Sequence, residues 1–290
     1  MTSEKRQPLV SVHMPVFNGE ETIEKALRSL RLQTHENWEA VIVNDGSKDR
    51  TREIVQSVND ARFRLIDLPE NRGRAYARQV ALENSTGDFI AYLDCDDFYH
   101  PAKLERQLDY FYSFPEVSYC GCGFGSLDLD GSLRRVRGKK SIEPLTFRFG
   151  DVFPFAPAVS MIRTDVAEAC SYNTKMRLGE DTDYFSRALR GEKYGAISDV
   201  LYFYREYGSI TLKKILSSYC YQLFLVPSYF TISKKYSMKI AAESISKLIV
   251  MSVLGLVVPI DRIIDKRGQQ PVESDVQFLK ETLIEMQMDL

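Results

Sequence analysis

The 290-residue chain is 44% hydrophobic and 27% charged, a composition that supports a folded core and excludes a disordered or fibrous protein. Its formal charge of -2 lacks the basic excess that a nucleic-acid-binding surface needs, so any affinity for anions must be local and no nucleic-acid partner is expected. Five cysteines without a paired CxxC spacing, three histidines and a polar segment from Met1 to Gln7 argue against a disulfide framework, a structural zinc site and a secretory leader, which makes the cytoplasm the expected location.

Apolar runs at 9–14, 38–43, 63–68 and 89–93 each have the length of a buried strand. Between them, 22–32, 50–58 and 75–84 repeat apolar residues at helical spacing. This βαβαβαβ rhythm predicts an α/β fold whose mostly parallel central sheet is covered by helices on both faces. A further helix is expected over 103–112. The pattern then loosens through Gly121, Gly123 and Gly125, and the basic run 134–140 reads as a solvated hairpin. A strand over 159–162, an acidic helix start at 179–183 and a strand over 200–204 follow, and the chain is helical from Thr211 onward.

In an open parallel sheet, ligands gather beyond the carboxyl ends of the strands. Polar groups cluster after each apolar run: Pro15-Val16-Phe17-Asn18, Asn44-Asp45-Gly46-Ser47, Glu70-Asn71-Arg72-Gly73 and Asp94-Cys95-Asp96-Asp97. Three carboxylates crowded at one strand end need a cation or a hydrogen-bond network, and Mg²⁺ or Mn²⁺ bridging a diphosphate would serve. The same acids would also suit a loop capping the next helix. Asp45 can accept from a base N–H or a ribose hydroxyl, or cap the following helix. Gly46 and Gly73 permit close backbone approach, or an ordinary turn. Of the arginines in the third loop, Arg72 and Arg74 are expected to be solvated and Arg78 to meet phosphate. Asp181, at the start of an amphipathic helix, is favoured by the helix dipole and is also a candidate base.

Taken in order, Val10 to Asn18, Asp45-Gly46-Ser47, Asn71-Arg72-Gly73 with Ala77-Arg78, Leu93 to Asp97, Gly179-Glu180-Asp181 and Tyr204-Arg205 resemble the family 2 glycosyltransferases of the GT-A fold over residues 8–211. The resemblance implies donor contacts from Pro15, Phe17, Asn18, Asp45, Gly73, Arg78, Asp94 and Asp96. It also implies a metal site at Asp94 and Asp96, Asp181 as general base and an inverting displacement. A nucleotide-diphosphate sugar, for preference a UDP-sugar, is the expected donor, and a saccharide or lipid-linked molecule of bacterial surface polysaccharide or lipopolysaccharide assembly the expected acceptor. Two features depart from the family or narrow it. Tyr207 stands where many members place a metal-binding histidine, and no QxxRW motif for processive synthesis is present, which favours single-sugar transfer.

The expected organisation is a transferase domain over 1–210, with a nucleotide-binding half to about 100 and an acceptor half beyond it, then a helical extension over 211–290. The uncharged run 248–260, flanked by Lys247 on one side and Asp261, Arg262, Lys266 and Arg267 on the other, is too short to span a membrane. It suits either peripheral contact with the inner face of the cell membrane or an oligomer-forming helix. The rival readings are a nucleotidyltransferase and a non-catalytic nucleotide-sugar module. A nicotinamide-dependent enzyme is disfavoured because no GxGxxG follows the first strand.

Overall fold

In the computed structural model, β1 (Val10–Val16), β2 (Trp38–Asn44), β3 (Phe63–Asp67) and β4 (Phe89–Tyr92) pair in parallel in the order β3-β2-β1-β4. The structure describes residues 7–148, 151, 155–207, 211–230, 234–266 and 268–286. Val10 lies opposite both Trp38 and Phe89, and Val16 opposite Asn44, so the strands reach one edge together. β2 and β4 are buried at every position, which is why they read as unbroken apolar runs rather than alternating ones. The crossovers are α1 (Ile23–Arg31), α2 (Thr51–Ser57) and α3 (Arg74–Glu83). Each lies within a residue or two of its expected bounds.

The second half adds β5 (Phe98–Tyr99), α4 (Lys103–Ser113), β6 (Val117–Leu127), β7 (Leu133–Arg137), β8 (Ile142–Thr146), a 3-10 turn at Pro157–Val159, β9 (Met161–Arg163), α5 (Thr164–Glu168), α6 (Glu180–Ala188) and β10 (Lys193–Tyr204). Among the described residues these strands extend one sheet in the order β4-β9-β6-β10-β5, with β7 on β6 and β8 on β10. β9 runs antiparallel to both neighbours, while β6 and β10 are parallel. The glycine-rich stretch that loosens the sequence pattern is therefore the inside of β6, buried throughout. A Cβ on Gly121 would stand 2.5 Å from the Phe155 ring, so aromatic side chains from neighbouring elements fill the space. Tyr119 stacks on that ring at 5.0 Å.

The tail comprises α7 (Leu212–Phe230), α8 (Lys234–Val257), α9 (Ile260–Asp265) and α10 (Glu273–Glu285). α7 continues through Pro227, and α7 and α8 form an antiparallel hairpin in which Gln222 meets Ser244. α10 returns to the sheet, where Leu279, Leu283 and Met286 pack with Phe98, Val136 and Phe203. The basic run over 134–140 does form the second arm of a hairpin, β7 on β6, but its charges are paired rather than simply solvated. Arg134 binds Asp128 and Asp265 at 2.9 Å, Arg137 binds Glu206 at 2.7 Å, and Lys139 binds Asp275 at 2.7 Å. Apart from Asp128, its acidic partners lie far along the chain and leave no local sequence signal. Arg267, part of the expected basic flank, lies outside the described residues, as does residue 210 at the expected domain boundary.

His13 sits inside β1, fully buried, with Nε2 2.6 Å from Ser85 Oγ. Burial, reinforced by Arg78, lowers its pKa from 6.5 to about 3. Between those values the unfolded chain takes up a proton that the folded histidine refuses, so stability falls as pH falls. At pH ~5 this contributes a loss of about 2 kcal/mol. Urea denaturation at pH ~7 and ~5 should show a smaller acid-induced loss for His13→Gln than for the parent, and equal losses would contradict the assignment.

Candidate functional site

The loops at the carboxyl edge are stitched together before any ligand arrives. Asn18 adopts a left-handed φ of +51°, its N–H donates to Ser47 Oγ at 2.8 Å, and its Oδ1 accepts from the Lys48 N–H at 2.9 Å. Pro15 pairs with Val43 in the ladder, and the Phe17 ring is 47% exposed beside them. These bonds hold the first loop on the second, leaving the Phe17 face open for stacking.

Asp45 is buried, and its two carboxylate oxygens accept from the backbone N–H groups of Arg72 at 2.8 Å and Gly73 at 2.9 Å. It therefore fixes the third loop at the amino end of α3. Gly46, at φ +71°, packs on the backbone of Glu70 and Asn71, so its close approach is to that loop. Gly73, at φ +92°, has nothing within 4 Å of its Cβ position and faces open space.

α3 carries the cations that join the acidic segments. Arg78 is buried, and its Nη2 lies 3.3 Å from Asp94 Oδ1. Burial alone would lower its pKa, but Asp94, Tyr172, Glu180 and Asp181 outweigh that and raise it. One turn earlier, Arg74 Nε lies 3.1 Å from Glu180 Oε1 of α6. Both arginines are exposed, as expected, yet Arg74 ties α3 to α6 and the Arg72 guanidinium stacks over Tyr76 at 3.7 Å. Local sequence pattern gave no sign of the Glu180 partner. Behind Arg78, Tyr172 stacks on Tyr184 at 3.8 Å.

The three aspartates after β4 divide their work. Asp97 is fully buried; it accepts from the Tyr202 hydroxyl and, at 3.0 Å, from the Arg205 N–H. It anchors the end of β10 and faces away from solvent. Asp94 meets Arg78, while Asp96 lines a cleft of about 490 Å³ with Lys25, Phe98, Asp128 and Arg205. Burial and the neighbouring Asp94 raise the Asp96 pKa, so the site gains from a nearby cation. Among the described residues no group of three or more His, Cys, Asp or Glu is arranged to hold a metal. Asp94 and Asp96 offer hard oxygen donors whose type fits Mg²⁺ or Mn²⁺ completed by other oxygen ligands rather than an all-protein cage.

Asp181 occupies the first turn of α6, half-buried, its Oδ1 accepting from the Thr182 N–H at 2.7 Å. Neither Asp45 nor Asp181 lines the 490 Å³ cleft; Asp45 is buried against the amino end of α3, and Asp181 is half-buried at the start of α6. Tyr207 does not take the place of a metal-binding histidine. It is buried, donates to Asp265 Oδ1 at 2.7 Å, and lies beneath the Arg134 guanidinium at 4.3 Å.

Comparison with known proteins locates this arrangement. The putative teichuronic acid biosynthesis glycosyltransferase TuaG of Bacillus subtilis is 38% identical over 128 residues, 43% of this chain and 50% of that protein. The Escherichia coli enzyme WfgD, described as UDP-Glc:alpha-D-GlcNAc-diphosphoundecaprenol beta-1,3-glucosyltransferase, is 42% identical over 100 residues, 34% of this chain and 40% of that protein. The chain thus spans about half the length of the curated relatives it matches. Among solved structures, S. aureus TarS 1-349 in complex with UDP-GlcNAc superposes with a TM-score of 0.66 at 18% identity, covering 88% of this chain and 78% of that one, which establishes a shared GT-A fold. The family model for glycosyl transferase family 2 matches residues 11–170, just over half of the chain and the whole stretch from β1 through β9. The chain belongs to glycosyl transferase family 2.

Proposed function

We propose that the chain transfers a single sugar, with inversion, from a nucleotide-diphosphate-sugar donor to a hydroxyl of a saccharide or lipid-linked acceptor, in bacterial surface polysaccharide or lipopolysaccharide assembly. The observation that carries this reading is the pair of contacts made by α3, Arg78 Nη2 to Asp94 at 3.3 Å and Arg74 Nε to Glu180 at 3.1 Å, which draw the loop after β4 and the start of α6 together. Carboxylates from separate stretches of chain thereby share one rim. The relatives' names support a surface-glycan acceptor, and a UDP-sugar is the preferred donor because WfgD and TarS are both described with one.

In this reading the acceptor hydroxyl attacks the anomeric carbon while Asp181 takes its proton, and the bond from that carbon to the diphosphate oxygen breaks. Asp94 and Asp96 are the residues that would hold Mg²⁺ or Mn²⁺, which when bound would supply charge stabilisation for the departing diphosphate. Asp45 spends one lone pair of each oxygen on the Arg72 and Gly73 N–H groups and keeps others for a base N–H or ribose hydroxyl. Pro15, Phe17 and Asn18 frame the base, Phe17 by stacking, and Gly73 opens the backbone toward the phosphates. Arg78 acts on the donor through Asp94, holding it in place rather than meeting phosphate itself. The transferase domain runs over 1–210 and the helical extension over 211–290, with the acceptor met at the inner face of the cell membrane.

Asp181→Asn should lower transfer by about 10²- to 10⁴-fold while leaving donor affinity by calorimetry intact; unchanged turnover would remove Asp181 as base. Loss of donor binding as well would favour a structural role for that residue. Free nucleoside diphosphate is the expected co-product, and pyrophosphate would point to nucleotidyl transfer instead. Arg78→Met leaves Asp94 uncompensated, while Glu180 keeps Arg74, and should lower stability by about 3 kcal/mol, the low end for a broken buried pair because Asp94 is partly exposed. A loss below about 1 kcal/mol in urea denaturation would show that Arg78 does not compensate Asp94.

A further inference from the structure

α7 and α8 meet along one seam and turn a second apolar surface outward. Ser237, Ser244 and Met251 recur every seven residues and are buried, and Ser244 Oγ donates to Gln222 of α7 at 3.1 Å. Leu212 of α7 reaches to where a side chain on Gly255 would stand, closing the far end of the seam. Elsewhere on α8, Met238, Ile245, Ile249 and Val253 are 66%, 49%, 61% and 61% exposed. Their spacing of seven, four and four puts them on one stripe, apart from the seam. On α7, Phe224 is 74% exposed and lines an open, mainly apolar trough of about 720 Å³ with Leu212, Leu216 and Tyr221. Exposed apolar side chains on both helices of the hairpin mark a partner.

Charge identifies the partner. Residues 212–266 carry eight Lys or Arg against three Asp or Glu, a net +5, while the rest of the chain carries -7. Lys213, Lys214, Lys234, Lys239 and Lys247 are exposed, and Glu243, the single acid of the two helices, pairs with Lys247 at 3.5 Å. A second copy packed hairpin against hairpin would bring like charge against like, whereas an anionic surface attracts the same residues. Among the described residues no helix is long and apolar enough to cross a membrane.

We propose that the outward face of the α7–α8 hairpin docks on an anionic lipid surface, seating the α8 stripe and Phe224 at the headgroup boundary and the lysines on lipid phosphates. The root of the hairpin is tied to the candidate site, because Asp265 of α9 holds Tyr207, two residues beyond Arg205 at the cleft. Docking therefore brings the cleft to the membrane surface, a placement whose use rests on the transferase reading with a lipid-linked acceptor.

The test is flotation of the full-length chain with phosphatidylcholine vesicles, with and without phosphatidylglycerol. The chain should float with the anionic vesicles, remain behind with phosphatidylcholine alone and be released by high salt. Ile245→Glu, Ile249→Glu and Val253→Glu combined should cut the floated fraction by about tenfold or more. Unchanged melting and unchanged calorimetric binding of a UDP-sugar would show that this variant has lost docking alone. Should it melt early, Lys213→Glu, Lys239→Glu and Lys247→Glu combined should give the same loss without touching the stripe. No flotation of the parent, or flotation that both variants leave intact, overturns the proposal. A parent that does not float but sediments as a dimer, dissociated by the stripe variant, assigns the face to a second copy and also overturns it. Vesicle binding is read without turnover, so docking and the transferase reading fall separately.

Discussion

The candidate site depends on a buried guanidinium among acids. Left alone, Asp94, Asp96, Glu180 and Asp181 would repel one another across a half-dry rim, and a buried Arg78 would itself be costly. Together they stabilise an arrangement that neither charge could hold separately. α3 is the element that makes this work. Its amino end is clamped by Asp45, its first turn carries Arg74 to Glu180, and its second carries Arg78 to Asp94. One helix thereby sets the relative positions of the loops after β2 and β4 and the start of α6.

The far side of the site is governed by a different charge cluster. Asp97 fixes the end of β10 through Tyr202 and the Arg205 backbone, and two residues on, Tyr207 is taken by Asp265 and Arg134. A tyrosine buried against α9 binds the chain to its own tail. α10 completes that attachment, since Leu283 lines the cleft beside Asp96 and also packs in the apolar cluster with Phe98. The helical tail is thus part of the wall of the site as well as an appendage to the sheet.

The amino-terminal half was legible in the sequence because its strands are buried on both faces and its crossovers are amphipathic, so local pattern and tertiary position agree. β6 was not, since its glycines hand the core to Phe155 and Phe203, residues from other elements. The candidate residues Asp45, Arg78, Asp94, Asp96 and Asp181 could be named from motif order, but their division of labour could not. That Asp97 is an anchor, that Arg74 reaches Glu180, and that the basic run after residue 133 clamps the tail all depend on partners tens of residues away. Ion pairs of such separation leave no periodicity to read.

The account stands on acids from separate segments surrounding a single donor. A crystal structure of the chain soaked with a UDP-sugar and Mn²⁺ tests this most directly. The account predicts the ion between the diphosphate and Asp96, the nucleotide against Asp45 and Phe17, and the anomeric carbon facing Asp181 across the rim held by Arg78. A nucleotide bound away from α3, or a sugar whose reactive carbon points away from Asp181, would contradict it.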